Sequence, residues 1–393
     1  MKKILLFLSI IALRQIQGQN LVTIPDPNFA TYLQTSIPAA MTGNQMDTTS
    51  PLVTTTTQTI NCSNKNISNL TGITYFKSLK YLNCSNNATG SFYLPFLPDS
   101  LIYLNCNGVY NMPSLPNLPN SLKYLYCYAA GISSLPPLPD SLIVLDCGYN
   151  FISALPTLPS KLVSLAFTNN PSGVNIPTLP NSLQYLYCDT TPVVLPTLPS
   201  SLLVLSCRAS SISTLPTLPN GLKYLDCSNF SFAFVNQLYS LPILPDSLHY
   251  LNCSYDSISC FPNFPAALHH VNIDNNPYNC LPNYVLPAMN SYTTTPLCGP
   301  GNSNGCSFTT GIKENVNTTL LIYPNPTSDQ FFINAQTTDK LNVDLYDVNG
   351  RHVLNVNVSD KSKISVATLD NGIYTMTVKT ADRVINKKLA IVR

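Results

Sequence analysis

Charge is scarce in this chain. Lysine, arginine, aspartate and glutamate together make up 10% of the 393 residues, and the formal net charge is +2. Such a balance gives no electrostatic pull toward nucleic acid or an anionic membrane. Long apolar runs are missing too: beyond the N-terminus no stretch is apolar enough to span a bilayer. The close CxxC pairs that chelate metals are absent, as are a phosphate loop and a carboxylate pair in a recognisable setting. Residues 301–305 match GxSxG, but in a polar loop with no strand before it and no helix after it. His249, His269 and His270 fall on adjacent repeats near Asp274; exposed histidines on neighbouring strands account for them better than a metal site, because carboxylates are few. The sequence therefore predicts a protein that is not an enzyme and needs no metal or cofactor. Solubility must come from asparagine, serine and threonine.

Proline and cysteine are plentiful instead, with 33 prolines and 13 cysteines. The N-terminus opens on Lys2 and Lys3, followed by an apolar run over residues 4–13 and a polar stretch over 15–19 containing Gly18. That order is the pattern of a cleaved export signal, and the run is too short to cross a membrane. No cysteine follows closely, so a lipid anchor is not expected.

The dominant signal is self-similarity at about 20–22 residues, which takes precedence over any local motif. LKYLNC at 79–84 recurs as LIYLNC at 101–106, LKYLYC at 122–127 and LIVLDC at 142–147. It continues through 162–167, 183–188, 202–207, 222–227, 248–253 and 268–273, after a degenerate unit that ends at Ile60 and Cys62. In a short strand alternate side chains face opposite sides, so the second leucine and the cysteine point inward. Stacked neighbours must complete a core that one unit cannot bury alone. Ten steps of about 4.8 Å give a sheet on the order of 50 Å long.

Between these strands runs LPxLP, at 115–119, 135–139, 155–159, 195–199, 215–219 and 241–245. Proline fixes φ and lacks an N–H, so these segments predict an extended, polyproline-like path rather than helices. The LxxLxC unit resembles the leucine-rich repeat, and its pairing with LPxLP resembles the short repeat of the YopM and IpaH effectors. The ubiquitin-ligase domain of the IpaH group has no counterpart here. That resemblance implies a solenoid with a parallel β concave face and an extended convex face. The asparagine expected after each strand stands at Asn87, Asn150, Asn170 and Asn276, whereas Ala130, Thr191 or Phe230 replaces it elsewhere. The turn-stabilising ladder is thus expected to be broken. Residues 24–33, starting at Asp26-Pro27, predict a short capping helix. Residues 229–239 stretch one repeat and predict a surface bulge.

Nine cysteines occupy the repeat slot: Cys62, Cys84, Cys106, Cys127, Cys147, Cys188, Cys207, Cys227 and Cys253. They read as buried thiols acting as small hydrophobes, with metal or redox chemistry as the competing reading. Cys260 and Cys280 share a later slot in consecutive repeats. A Cys260–Cys280 bridge and a Cys298–Cys306 bridge are therefore expected, with Cys280–Cys298 as the alternative pairing.

After Cys306 the proline pattern gives way to alternating strands at 331–335, 341–346, 352–358, 363–368, 373–378 and 386–392, with Asn349-Gly350 and Asn371-Gly372 as turns. A small antiparallel sandwich of about seven strands is expected. Tyr323-Pro324-Asn325-Pro326, then 345–347 with Asn349, Gly350 and Arg351, then Gly372-Ile373-Tyr374 and Lys387-Lys388-Leu389 resemble the C-terminal sorting domain of type IX secretion substrates. That resemblance implies passage across the outer membrane of a Gram-negative bacterium through the type IX machinery. The protein would be released or held at the cell surface. The expected boundaries are signal peptide 1–18, N-terminal cap 19–56, repeats 57–290, C-terminal cap and linker 291–318, and sorting domain 319–393.

One feature of the repeats points to a ligand. The outward strand positions hold Tyr81, Tyr103, Tyr124, Tyr185, Tyr224 and Tyr250, with Tyr126 and Tyr187 in the next outward position. Tyrosine offers rigid contact area and a hydroxyl, which suits protein or glycan recognition. The column is interrupted at Val144, Ser164 and Val204. Tyrosines that merely stack as strand formers would look the same. A secreted or surface binding module, for adhesion or recognition, is the leading reading, and a structural coat or matrix component without a ligand is the alternative. Asp-Ser-Leu at 99–101, 140–142 and 246–248 resembles a bacterial O-glycosylation sequon, but each copy sits in a repeated structural slot.

Overall fold

The computed structural model describes residues 20–299 and 321–393, apart from 88–89, 172, 231–234, 335–339, 349 and 380–383. The export signal, the 301–305 loop, Cys306 and Asn349 lie outside the described residues. The chain divides into two compact units, Met1–Cys306 and Ser307–Arg393, each with its own core.

The first unit starts with a cap. Strands β1 (Leu21–Thr23), β2 (Met41–Thr42) and β3 (Gln45–Asp47) form an antiparallel sheet in the order β1-β3-β2. Helix α1 (Pro27–Ser36) lies between β1 and β2 in the chain. It begins where it does because Asp26 accepts from the N–H groups of Asn28 and Phe29, both at 2.9 Å, and proline fills the first helical position. The other Asp26 oxygen takes the N–H and hydroxyl of Ser68 at 2.6 and 2.8 Å, which ties the cap to the first repeat. Phe29, Ala30 and Leu33 form the buried helix face.

An eleven-stranded parallel sheet follows, every strand pairing with its neighbour in sequence. The strands are β4 (Thr59–Asn61), β5 (Tyr81–Asn83), β6 (Tyr103–Asn105), β7 (Tyr124–Tyr126), β8 (Val144–Asp146) and β9 (Ser164–Ala166). The remainder are β10 (Tyr185–Tyr187), β11 (Val204–Ser206), β12 (Tyr224–Asp226), β13 (Tyr250–Asn252) and β14 (His270–Asn272). Each is three residues long with its middle residue buried, as a two-residue side-chain period demands. Register is strict, with Leu82 opposite Leu104, Leu104 opposite Leu125 and Leu125 opposite Leu145. The residue after each strand is buried, a cysteine on nine of them, Phe167 after β9 and Ile273 after β14. Several of these thiols donate to the next rung's carbonyl, as Cys84 does to Asn105 and Cys106 to Tyr126, both at 3.4 Å.

The LPxLP segments contain neither helix nor regular strand, and their leucines are buried, as at Leu155, Leu158, Leu195 and Leu198, or half-buried, as at Leu118 and Leu135. Each ends in a tight turn: the last proline carbonyl accepts from the N–H three residues on, as from Leu122 to Pro119 and Leu142 to Pro139, both at 3.0 Å. The serine inside that turn donates its hydroxyl to the preceding rung. Ser100 reaches the Leu79 carbonyl at 2.7 Å, and Ser141 the Leu122 carbonyl at 2.6 Å. Ser247 donates to the Leu222 carbonyl at 2.8 Å. The Asp-Ser-Leu recurrences are thereby rungs of a serine ladder.

The asparagine ladder is more complete than its sequence spacing suggests. Asn87 donates to the Cys62 and Cys84 carbonyls at 2.8 and 2.9 Å and accepts from the Lys65 and Ile67 N–H groups. Asn150 and Asn276 do the same on later rungs. Thr191 and Ser210 substitute hydroxyls, donating to Phe167 at 3.0 Å and Cys188 at 2.8 Å. Phe230 does not take the slot in its own repeat. Asn236 takes it instead, donating to the Cys207 and Cys227 carbonyls at 3.0 and 2.7 Å. The expectation of a broken ladder is corrected for these rungs, because hydroxyls and a displaced amide satisfy the same carbonyls.

The C-terminal end of the solenoid corrects the first-choice disulfides and takes the alternative pairing. Cys280 pairs with Cys298, with a Cα separation of 4.9 Å, rather than with Cys260. The cause is local: residues 296–298 fold back beside Leu281, the Leu281 N–H donating to Pro296 and the Cys298 N–H to Leu281 at 3.0 and 2.9 Å. That parallel bridge sets Cys298 against Cys280, which excludes both the Cys260–Cys280 and the Cys298–Cys306 pairing. Cys260 is itself disulfide-bonded. Tyr292 closes the last strand, its hydroxyl accepting from the Ile273 N–H at 3.2 Å and donating to Asp274 at 2.9 Å.

The second unit is a sandwich of seven antiparallel strands. These are β15 (Leu321–Tyr323), β16 (Gln330–Asn334), β17 (Leu341–Tyr346), β18 (His352–Val358), β19 (Lys363–Ser365), β20 (Gly372–Lys379) and β21 (Val384–Ile391). One sheet runs β15-β16-β19 and the other β18-β17-β20-β21. Phe331, Ile333 and Ile364 from the first meet Leu341, Val343, Leu345, Met376 and Leu389 from the second in one core.

Candidate functional site

Strict register lines the eight predicted tyrosines up on the outward face of the parallel sheet, all half-buried. One column runs Tyr81, Tyr103, Tyr124, Val144, Ser164, Tyr185, Val204, Tyr224, Tyr250, His270. The second runs Asn83, Asn105, Tyr126, Asp146, Ala166, Tyr187, Ser206, Asp226, Asn252, Asn272.

The rings form groups rather than one continuous stack. Tyr81 lies flat on Tyr103 at 4.3 Å and 11°. Tyr103 then meets Tyr124 and Tyr126 at 6.3 and 5.4 Å, each tilted by 41°. At the other end Tyr224, Tyr250 and His270 stack at 4.2 and 4.5 Å, within 9° of parallel. Rings stacked on one another turn their edges and hydroxyls outward and keep their faces covered. Tyr185 and Tyr187 stand apart, with Ser164 and Val204, and Ala166 and Ser206, on either side. Burial raises the pKa of Tyr103, Tyr126, Tyr187 and Tyr224, with smaller additions from neighbouring phenols or carboxylates. These hydroxyls stay protonated and can donate.

The carboxylates on and beside this face differ in how fully they are used. Asp226 is buried and accepts from the Ser228 N–H and hydroxyl at 3.1 and 2.6 Å and from Asn252 at 3.3 Å. Asp189 takes the Ser206 hydroxyl at 2.6 Å and the Arg208 side chain at 3.2 Å. That guanidinium also lies 4.7 Å from the Phe230 ring at the start of the 229–239 insertion. Among the described residues Asp146 accepts only from the Gly148 N–H, at 3.2 Å. Burial raises its pKa against the lowering effect of that bond.

Sequence reasoning missed an aromatic pair just past the strands. Tyr128 lies 4.7 Å from Tyr149, and a Cβ at Gly148 would come within 3.1 Å of the Tyr128 ring. The glycine makes room for the ring, and its place directly after Cys147 was the available signal. His249 and His269 meet edge to face at 5.2 Å. Among the described residues no group of three or more His, Cys, Asp or Glu is arranged to hold a metal. Burial pushes the Cys62 and Cys106 thiols up to about 12, so neither supplies a thiolate at neutral pH.

The sorting residues occupy one end of the sandwich and its last strand. Tyr323 lies 5.8 Å from Phe332, nearly parallel. Asn325 donates to the Lys388 carbonyl at 2.8 Å and accepts from the Ala390 N–H at 2.9 Å, which binds the Tyr323-Pro324-Asn325-Pro326 segment to β21. Gly350 adopts φ +76°, and its N–H donates to Asp347. Gly372 opens β20, opposite Ile391. Lys387 and Lys388 face Met376 and Thr375 across the β20–β21 pair.

The chain is thus a leucine-rich-repeat solenoid followed by a β-sandwich tail. Residues 321–392 match the family described as secretion system C-terminal sorting domain. YopM from Yersinia enterocolitica is similar over 58% of this chain and 58% of its own, at 27% identity and a TM-score of 0.45. The leucine-rich effector YopM from Yersinia pestis is similar over 58% of this chain and 80% of its own, at 26% identity and 0.38. The functional domain of InlJ from Listeria monocytogenes, whose structure includes a cysteine ladder, covers 95% of this chain and 99% of its own at 16% identity and 0.48. No curated protein matches the chain. The tail marks the protein as secreted or displayed on the outer surface of a Gram-negative bacterium. Among the described residues no helix is long and apolar enough to cross a membrane.

Proposed function

We propose that the solenoid is a binding module that recognises a protein or glycan through the outward face of its parallel sheet. One observation carries this: eight half-buried tyrosines occupy a single face, beside an edge of asparagines. The stacked pairs cover one another's ring faces, which disfavours sugar rings lying flat on them and favours hydrogen bonding to a protein surface. Adhesion to a partner surface is the role such a secreted module would serve.

The same stacking favours a second reading, in which the rings only stabilise the sheet and the protein is a coat or matrix component. Screening the full chain against surface proteins and glycan arrays separates the two. Tyr124→Ala combined with Tyr185→Ala should weaken binding at least tenfold if the face is the site. Unchanged binding would move the site to the 229–239 insertion or a cap, and no binding to any probe would favour the coat.

A further inference from the structure

The break in the tyrosine columns has a shape of its own. Strands β8 and β9 carry Val144 and Asp146, then Ser164 and Ala166, on the outward face. Tyr124 and Tyr126 stand on β7 to one side, and Tyr185 and Tyr187 on β10 to the other. Three strand steps separate these walls by about 14 Å at the backbone. Small side chains form the floor of this notch, and one carboxylate rises from it.

That carboxylate is under-used. Asp226 and Asp189 each accept from several donors, and Asp189 has Arg208. Among the described residues Asp146 has the Gly148 N–H alone, and no basic side chain pairs with it. A half-buried carboxylate with a single donor gains more from an incoming cation than an exposed one does. Arginine suits the geometry better than lysine: its planar head can meet a carboxylate with two N–H groups while stacking on tyrosine faces. Tyr185 and Tyr187 have Ser164, Ala166, Val204 and Ser206 as strand neighbours, so no aromatic ring on the adjoining strands competes for their faces.

We propose that the notch between Tyr124/Tyr126 and Tyr185/Tyr187 receives an arginine side chain of a protein partner, with its guanidinium on the Asp146 carboxylate. This rests on the reading of the outward face as the binding surface and names the chemistry that surface selects.

The test uses the full chain and three 12-residue glycine-serine peptides carrying two arginines, two lysines or two citrullines, with binding followed by fluorescence anisotropy. Citrulline keeps the shape of arginine and removes its charge. The arginine peptide should bind at least tenfold more tightly than the citrulline peptide, and more tightly than the lysine peptide. Asp146→Asn, nearly isosteric, should remove that preference. Ala166→Tyr, which fills the notch with a good strand former, should remove it too. Loss of arginine binding in Tyr124→Ala with Tyr185→Ala, but not in Asp146→Asn, would overturn the notch and leave the face as a binding surface. Arginine binding untouched by any of these variants would overturn both. Equal binding of the citrulline and arginine peptides would also overturn the assignment, since a neutral side chain would then suffice.

Discussion

Asp256 occupies the ladder position that Asn87, Asn150, Asn170 and Asn276 hold in other repeats. Those amides donate to two backbone carbonyls, which an ionised carboxylate cannot do. One Asp256 oxygen accepts from Asn229 at 3.0 Å, and the other is buried without a partner. Burial pushes this carboxyl up to about 8, against the bonds from Asn229 and Leu238, so it is held protonated at neutral pH. With the folded value above the unfolded one, its contribution to stability is complete below about pH 4 and is lost as pH rises toward 8. Asp256→Asn should therefore stabilise the solenoid by about 1–3 kcal/mol at pH 8 and by much less at pH 4.5, measured by urea denaturation. Equal effects at both pH values would contradict a protonated Asp256. Asp344 in the tail works in the opposite direction. The Asn355 amide, followed by His352 and Lys379, lowers it to about 2 against the effect of burial. That contribution is present above about pH 4 and fades as pH falls toward 2. Asp344→Asn should cost the sandwich about 1 kcal/mol near pH 6, allowing for partners half in solvent, and little at pH 2.5.

At the level of elements, the insertion after β12 separates residues that hold the fold from residues that decorate it. Asn236 satisfies two carbonyls and two N–H groups, those of Ser210 and Ile212. Asn236→Ala should cost about 3 kcal/mol or more, because several buried groups lose their partner together. Phe230→Ala removes only a cation–π contact from a residue that is 58% exposed, and should cost about 0.5–1 kcal/mol. Thermal melts of the two variants rank them directly, and a Phe230 effect as large as that of Asn236 would reverse their assigned roles. This insertion also shows where sequence reading stopped. The LxxLxC spacing located the strands from β5 to β14, because side-chain alternation and stacking leave that pattern one solution. The same spacing counted three residues past Cys227 and arrived at Phe230. An insertion breaks counting while leaving the hydrogen-bond demand intact, and only coordinates show Asn236 meeting it. The disulfide followed the same logic: equal slots suggested Cys260–Cys280, whereas the fold-back at 296–298 decided for Cys280–Cys298. Closing an 18-residue separation is worth about 3 kcal/mol by loop entropy. Cys298→Ser should lower solenoid stability by about that amount, measured in guanidinium.

On the scale of the whole molecule, the tail carries the sorting signal and the solenoid is what it exports. The tail was legible in sequence through its strand alternation, its Asn-Gly turns and its resemblance to a sorting domain, whereas the return of its last strand to the Tyr323-Pro324-Asn325-Pro326 segment was not. Asn325 makes that return explicit, bridging to Lys388 and Ala390 across more than 60 residues of chain. The outward tyrosines were legible as positions, since register follows from the repeat. Their division into two ring groups with Tyr185 and Tyr187 standing apart was not, because ring tilt depends on which neighbours are small. Asn325 also gives the export assignment a test finer than deletion. Removing residues 321–393 should leave the solenoid inside the cell envelope, but that result alone cannot tell recognition from misfolding. Asn325→Ala removes two bonds to β21 while the sandwich core of Phe331, Val343, Leu345 and Met376 stays intact. If the segment and β21 must be held together to be recognised, this variant should melt within a few degrees of the parent yet appear at the surface in reduced amount. Cell fractionation followed by protease shaving reads the second quantity, and circular dichroism the first. Normal display with a normal melt would place recognition elsewhere in the tail, with the exposed Lys388 as the next residue to change.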